Sequence, residues 1–123
     1  MVFTMNKFDI YERCENFSIG IIELVEKIPY RTSAGIIGKQ LIRSATSIGA
    51  NLNEADNARS DKEFLSILGI CLKEAKETQY WLKLLKRTNQ NFSEDITNTA
   101  DEAYQIIKIL GKIFWIKAKN RLP

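Results

Sequence analysis

The sequence predicts an all-α fold with a single domain, an antiparallel up-and-down four-helix bundle. The chain has 123 residues, of which 45% are hydrophobic and 27% charged, a balance typical of one globular domain. Four segments carry apolar residues at alternating spacings of three and four, which is the period of one helix face. The breaks between the segments are short, so consecutive helices are expected to pack antiparallel at shallow angles.

The first two predicted helices span about residues 7–28 and 34–58. Pro29 ends the first one because proline has no N–H and cannot continue a helix. Thr32 or Ser33 is expected to cap the second with its hydroxyl. The apolar stripe of the first helix is Ile10, Cys14, Phe17, Ile21, Leu24 and Ile28. That of the second is Ile37, Leu41, Ala45, Ile48, Leu52 and Ala55.

The last two predicted helices span about residues 61–88 and 94–118. Ser60 and Glu63 have the spacing of a capping box, and Ser93 is expected to cap the fourth helix. The third stripe is Phe64, Leu68, Cys71, Ala75, Thr78, Leu82 and Leu85. The fourth stripe is Ile96, Ala100, Ala103, Ile107, Leu110 and Phe114.

The two cysteines and the absence of long apolar runs bear on where the protein works. Cys14 and Cys71 occupy apolar helix positions, so we expect buried free thiols. The first residues lack the apolar region of a signal peptide, and no apolar run approaches the roughly 20 residues that span a bilayer. We therefore expect a cytoplasmic protein that does not contact a membrane.

The third and fourth helices carry more apolar residues than one stripe each. A second stripe lies one position before the first: Ile67, Ile70, Trp81 and Leu84, then Ile106, Ile109, Ile113 and Ile116. One interpretation is a wide core-facing surface, and the other is a subunit interface, since monomers rarely expose large apolar patches. We expect self-association, and the predicted interface residues are Ile67, Ile70, Trp81, Ile109, Ile113 and Ile116.

A polar stripe follows the edge of the second helix about 100° from its apolar seam. Arg43 lies beside this stripe and is predicted to pair with Glu74 or Glu77 of the third helix, while Asn51 is predicted to bridge neighbouring groups. Such a network fixes register and helix order at little net gain in stability. Its predicted members are Gln40, Arg43, Ser47, Asn51, Glu54, Glu74 and Glu77.

The segment Gln40–Leu82 closely resembles a four-helix-bundle family, the 23S rRNA intervening-sequence proteins. The matching residues are Gln40, Arg43, Ala45, Ser47, Ile48, Asn51, Glu54, Ser60, Lys62, Glu63, Phe64 and Glu74. The chain departs from the pattern at Ala55, where many members have glycine. The resemblance implies antiparallel bundles that assemble into ring-shaped pentamers, with no defining enzymatic activity. A related accessory protein of diversity-generating retroelements resembles a basic pentamer that binds nucleic acid and a reverse transcriptase.

The residue types argue against an enzyme. The chain has no histidine, which removes the commonest general base and any Ser–His or Cys–His nucleophile pair. Gly35 and Gly38 lack the Gly-Lys-Ser/Thr ending of a phosphate-binding loop. Glu54, Glu74 and Glu77 are the one candidate carboxylate set for a hard cation, but pairing with Arg43 is favoured. We expect no catalytic residues, no metal and no cofactor.

Charge is distributed unevenly along the chain. The formal net charge is +3, yet residues 103–123 contain basic residues and no acidic one. The predicted nucleic-acid-binding residues are Lys108, Lys112, Lys117, Lys119, Arg121, Lys62 and Arg59. The alternative is a solvated face whose cations offset the helix dipole. Four aromatic residues either stack on bases or pack in the core or an interface: Tyr80, Trp81, Tyr104 and Trp115.

The sequence thus favours a non-enzymatic homo-oligomer, pentameric by resemblance, that associates with RNA or DNA through a basic surface. The alternative is a scaffold or adaptor that binds another protein and no nucleic acid.

Overall fold

The computed structural model describes residues 7–120, with side chains from residue 10 onward. Within these residues the elements are α1 (Lys7–Lys27), α2 (Thr32–Ala55), α3 (Asp61–Thr88) and α4 (Ser93–Asn120), with a short 3-10 helix, Gln90–Phe92, before α4. Each helix packs on the next in sequence, and α4 packs on α1. The four helices therefore enclose one core in up-and-down order, as the sequence predicts.

The apolar stripes meet in a single core. Among the side chains with almost no exposure are Ile21, Leu41, Ile48, Leu68, Leu82 and Leu110. The stripe predicted for α4 needs a correction, because Ile106 is fully buried whereas Ile107 is only partly buried. The core-facing line of α4 passes closer to Ile106, since this helix packs on α1 as well as on α3.

The beginning of α3 has the predicted cap. The Ser60 hydroxyl oxygen accepts a hydrogen bond from the Glu63 N–H at 3.1 Å. The Glu63 carboxylate accepts from the Arg59 N–H at 3.0 Å, one residue earlier than in a standard capping box. Both bonds satisfy N–H groups around the start of the helix. The preceding turn ends α2 at Ala55, earlier than predicted, because Asn57 and Ala58 donate tight backbone bonds to Glu54 and Ala55.

Two other predicted caps are wrong. Thr32 and Ser33 already lie inside α2, and the N-cap position is Arg31, whose backbone is extended and whose side chain makes no hydrogen bond to the start of α2. Ser93 has helical backbone angles and donates its N–H to the Gln90 carbonyl, because the 3-10 helix runs directly into α4. In both places the connection between helices, rather than the hydroxyl residue, determines where the helix begins.

The first two helices pack closely where α2 has glycine. A Cβ atom built on Gly38 would lie 2.9 Å from a methyl carbon of Val25, which is shorter than real contacts allow. A side chain at this position would push α1 away from α2 or displace Val25.

Cys14 and Cys71 are buried free thiols, as expected. Burial raises the pKa of Cys14 to about 12 and that of Cys71 to about 11, so both stay protonated at neutral pH.

None of the helices in the described part of the chain is both long enough and apolar enough to cross a membrane.

Candidate nucleic-acid interface

One face of α4, from Tyr104 onward, points away from the core and combines aromatic and basic side chains. We call it the α4 outer face and define it as Tyr104, Lys108, Lys112, Trp115 and Lys119. Successive members are three or four residues apart, which places them along one side of a helix. Tyr104 is 54% exposed and Trp115 is 61% exposed. The sequence left open whether these rings pack inside, and in the single chain they do not.

Two lysines of this face lie over its aromatic rings. The Lys108 Nζ atom is 5.5 Å from the centre of the Tyr104 ring, and the Lys119 Nζ atom is 4.9 Å from that of Trp115. Both contacts are within the range of cation–π attraction. Each pair presents an ammonium group next to an exposed ring, so charge and stacking surface occur together. The sequence shows the four-residue spacing between each ring and its lysine. Whether these pairs face solvent or the core depends on how α4 is rotated about its own axis.

The other predicted basic residues lie elsewhere. Lys117 faces the start of α3, where its Nζ atom is 3.1 Å from an Asp61 carboxylate oxygen and 5.5 Å from the centre of the Phe64 ring. Lys62 and Arg59 are exposed beside this ion pair. Arg121 lies outside the described residues. The structure therefore divides the predicted basic set between the α4 outer face and a partly neutralised junction with α3.

The polar network joins α2 to α3 through Arg43. Its guanidinium donates to Glu77, to Glu74 at 3.3 Å and to the Gln40 side-chain oxygen at 3.2 Å. The Trp81 indole N–H also donates to Glu77, at 3.0 Å. The hydrogen bond from Trp81 and the nearby charge of Arg43 lower the pKa of the Glu77 carboxyl group. These contacts hold the two helices in one register.

The remaining predicted members contribute differently. Ser47 donates to the Arg43 carbonyl and Asn51 to the Ser47 carbonyl, so both bond within α2 and Asn51 bridges no second helix. Glu54 lies 11 residues beyond Arg43, about 16 Å along the helix, and does not join the pair.

A contact that the sequence did not predict lies deeper. The Ser44 and Thr78 hydroxyl oxygens are 2.9 Å apart, and both residues are completely buried between α2 and α3.

The predicted interface residues form two patches on opposite edges of the bundle. The α3 patch (Ile67, Ile70 and Trp81) lies on the side of α3 that faces α2, next to the Arg43 network. Glu102 pairs with Arg13 of α1, and Ile109, two turns later, lies on the same side of α4. The α4 patch (Ile109, Ile113 and Ile116) therefore lies mainly toward α1. Ile70 and Ile116 are each 44% exposed, and the other four are partly buried.

The carboxylates of the described residues form no cluster suited to a metal. No group of three or more Cys, Asp or Glu side chains in residues 10–120 converges on a point where a cation would sit. Glu74 and Glu77 instead point to a guanidinium.

Comparisons with known proteins agree with this architecture. A crystal structure of a protein of unknown function from the S23 ribosomal protein family of Bacteroides thetaiotaomicron is 36% identical in sequence and superposes with a TM-score of 0.79. The alignment covers 85% of this chain and 97% of that one. No curated protein matches the chain. The family model described as 23S rRNA-intervening sequence protein matches residues 6–112. The chain therefore belongs to the 23S rRNA-intervening sequence protein family.

Proposed function

We propose that this protein is a non-enzymatic homo-oligomer, a pentamer by family resemblance, that binds single-stranded RNA or DNA through the α4 outer face. The observation that carries the proposal is the pair of exposed rings, Tyr104 and Trp115, each with a lysine ammonium over it. Unpaired bases stack on exposed aromatic rings, and lysines beside them neutralise the phosphates that link those bases.

The chemistry of this surface favours a polyanion over a neutral partner. The residues from 103 to the end of the chain include no carboxylate side chain, so no acidic neighbour in this segment competes for Lys108 or Lys119. Asp101, one turn before the face, is the nearest acidic residue on the same side of α4. Stacking on rings and neutralising phosphates involve no hydrogen bonds to the base edges, which are the groups that distinguish one base from another. The expected binding therefore has little sequence preference.

The two apolar patches support the proposed self-association. Because they lie on opposite edges of the bundle, the α3 patch of one subunit can pack on the α4 patch of the next. Contacts of this head-to-tail kind generate rings when the rotation between subunits closes. A ring repeats the α4 outer face once per subunit, so a strand that touches several subunits gains avidity without any new contact.

The test is a binding titration with labelled single-stranded RNA and DNA of random sequence at several salt concentrations. We expect the affinity to fall steeply with salt, and the double variant Lys108→Glu/Lys119→Glu to bind at least about 100-fold more weakly. The control is Lys39→Glu/Lys73→Glu, which changes the net charge equally at exposed positions on α2 and α3. Equal losses in the two double variants would contradict the proposal.

A protein-binding adaptor is the second candidate, and a separate observation favours it. Ile19, Ile22 and Ile36 are 49%, 39% and 61% exposed on α1 and α2, outside both apolar patches. Exposed apolar side chains mark a protein-binding surface where they form one patch, and Ile19 and Ile22 lie one turn apart on α1. Absence of any RNA or DNA binding at low salt would favour the adaptor over the nucleic-acid binder.

A further inference from the structure

A second basic surface lies at the end of the bundle where the α1–α2 and α3–α4 connections meet. We call it the turn-end cleft and define it as Arg31, Lys83, Lys86, Arg87 and Gln90. It consists of two adjoining open cavities of about 450 and 530 Å³, which share Arg87 and Gln90. Four of the five defining residues are basic, and no acidic residue lines either cavity in the described part of the chain.

Arg31 is held in position by groups that carry no charge. One terminal nitrogen of its guanidinium donates to the Thr88 carbonyl and to the Asn89 side-chain oxygen, both at 2.8 Å. Asn89 is buried, and its amide nitrogen donates to the Leu85 carbonyl at 3.0 Å, which fixes the orientation of the acceptor. The guanidinium is thus preorganised at the cleft while its positive charge is not neutralised by these contacts.

Stabilisation of the α3 macrodipole does not account for the whole cluster. Lys86 and Arg87 lie in the last turn of α3, where cations offset the partial negative charge of the helix end. Arg31, about 55 residues earlier in the chain, lines the same cavity as Arg87 and also donates to the Thr88 carbonyl at this helix end, whereas Lys83 lies one turn before it. The helix end carries only about half a negative charge, which does not require four cations. The nearby acidic residue Asp95 pairs with Lys27, and neither residue lines the cleft.

The spacing of the cations favours a ligand with several negative charges. Lys86 and Arg87 follow Lys83 by three and four residues, so all three lie along one edge of α3, beside the start of α4. Arg87 can bind a phosphate with two parallel hydrogen bonds. Arg31, one of whose terminal nitrogens already donates to Thr88 and Asn89, contributes its charge and its remaining N–H groups. A row of this kind matches successive phosphates of a strand better than one isolated anion.

We propose that the turn-end cleft binds the phosphodiester backbone of a nucleic-acid strand, as a contact site separate from the α4 outer face. It takes its ligand class from the proposed function but uses different residues. Gln90 lies 18 residues before Lys108, about 27 Å along the 3-10 helix and α4, so the two sites occupy opposite halves of the bundle. A strand of sufficient length bridges them, whereas a short one occupies either site alone.

The experiment compares single charge reversals in a titration with a labelled single-stranded oligonucleotide of about 20 nucleotides. Arg87→Glu is the test variant, Lys108→Glu reports on the α4 outer face, and Lys39→Glu is the control with the same change in charge. We expect Arg87→Glu to weaken binding about tenfold and to lower the salt dependence by about one released counterion, and Arg87→Lys to retain most of the affinity. Circular dichroism and particle size verify that every variant folds and assembles.

The outcomes separate the two proposals. If Arg87→Glu binds the oligonucleotide as tightly as Lys39→Glu while Lys108→Glu binds it more weakly, the cleft proposal is overturned and the proposed function is supported. If only Arg87→Glu weakens oligonucleotide binding, the result supports the cleft proposal and contradicts the proposed role of the α4 outer face. Absence of any oligonucleotide binding overturns both. Inorganic phosphate is titrated in parallel at constant ionic strength, and tight binding of phosphate with no effect of Arg87→Glu on the oligonucleotide would identify a site for an adventitious ion only.

Discussion

Two charged regions of this bundle differ in what their charges contact. On the α2–α3 edge, Arg43 contacts two carboxylates, Glu74 and Glu77. On the α4 outer face, Lys108 and Lys119 lie over aromatic rings. A cation that is paired with carboxylates has much of its charge neutralised within the fold, whereas a cation over a ring retains a charge that a phosphate can use. The first region therefore suits a role in helix register and the second a role in binding.

The largest expected difference between the two regions is in stability. Arg43→Ala leaves Glu74, whose side chain is only 13% exposed, without its partner, and we expect the free energy of unfolding to fall by about 1–2 kcal/mol. Lys119→Ala removes an exposed charge, so we expect a change below about 0.5 kcal/mol together with weaker oligonucleotide binding. Chemical denaturation and binding of both variants check this. Equal destabilisation by the two substitutions would remove the distinction between the regions.

A smaller effect concerns acid stability of the α2–α3 edge. The pKa of Glu77 is lowered in the folded protein, first by the Trp81 hydrogen bond and then by Arg43. A lowered folded pKa stabilises the fold above the ordinary value of 4.5, and this stabilisation is lost as the pH falls below that value. We expect Trp81→Phe, which removes the hydrogen bond, to flatten the decrease in unfolding free energy between about pH 5 and pH 3. An unchanged pH profile in this variant would show that Glu77 does not couple to folding.

The sequence predicts the bundle well because burial imposes a helical period on the apolar residues. It cannot choose between Ile106 and Ile107, since they are three and four residues beyond Ala103 and both spacings fit one helix face. It also misplaces two helix starts. The ability of Thr32 or Ser93 to cap is a property of the residue, whereas the helix start depends on how the connecting chain is anchored.

The candidate sites were predictable only in part. The C-terminal excess of lysine is a feature of composition, but its division between Lys117, which contacts Asp61, and the α4 outer face depends on the rotation of α4 against α3. The turn-end cleft was missed because Arg31 comes from the α1–α2 connection and Arg87 from the end of α3, and only the closed bundle brings these distant segments together. Local patterns identify helix faces, while sites built from segments far apart in sequence require the tertiary structure.

The two tryptophans allow the most direct measurement on the α4 outer face. Trp115 is exposed on this face, and Trp81 is partly buried beside Glu77. We expect single-stranded oligonucleotide to quench the intrinsic fluorescence of the protein and of Trp81→Phe, but not that of Trp115→Phe, because bases stack on the Trp115 ring. Undiminished quenching in Trp115→Phe would contradict the assignment of this face as the nucleic-acid interface.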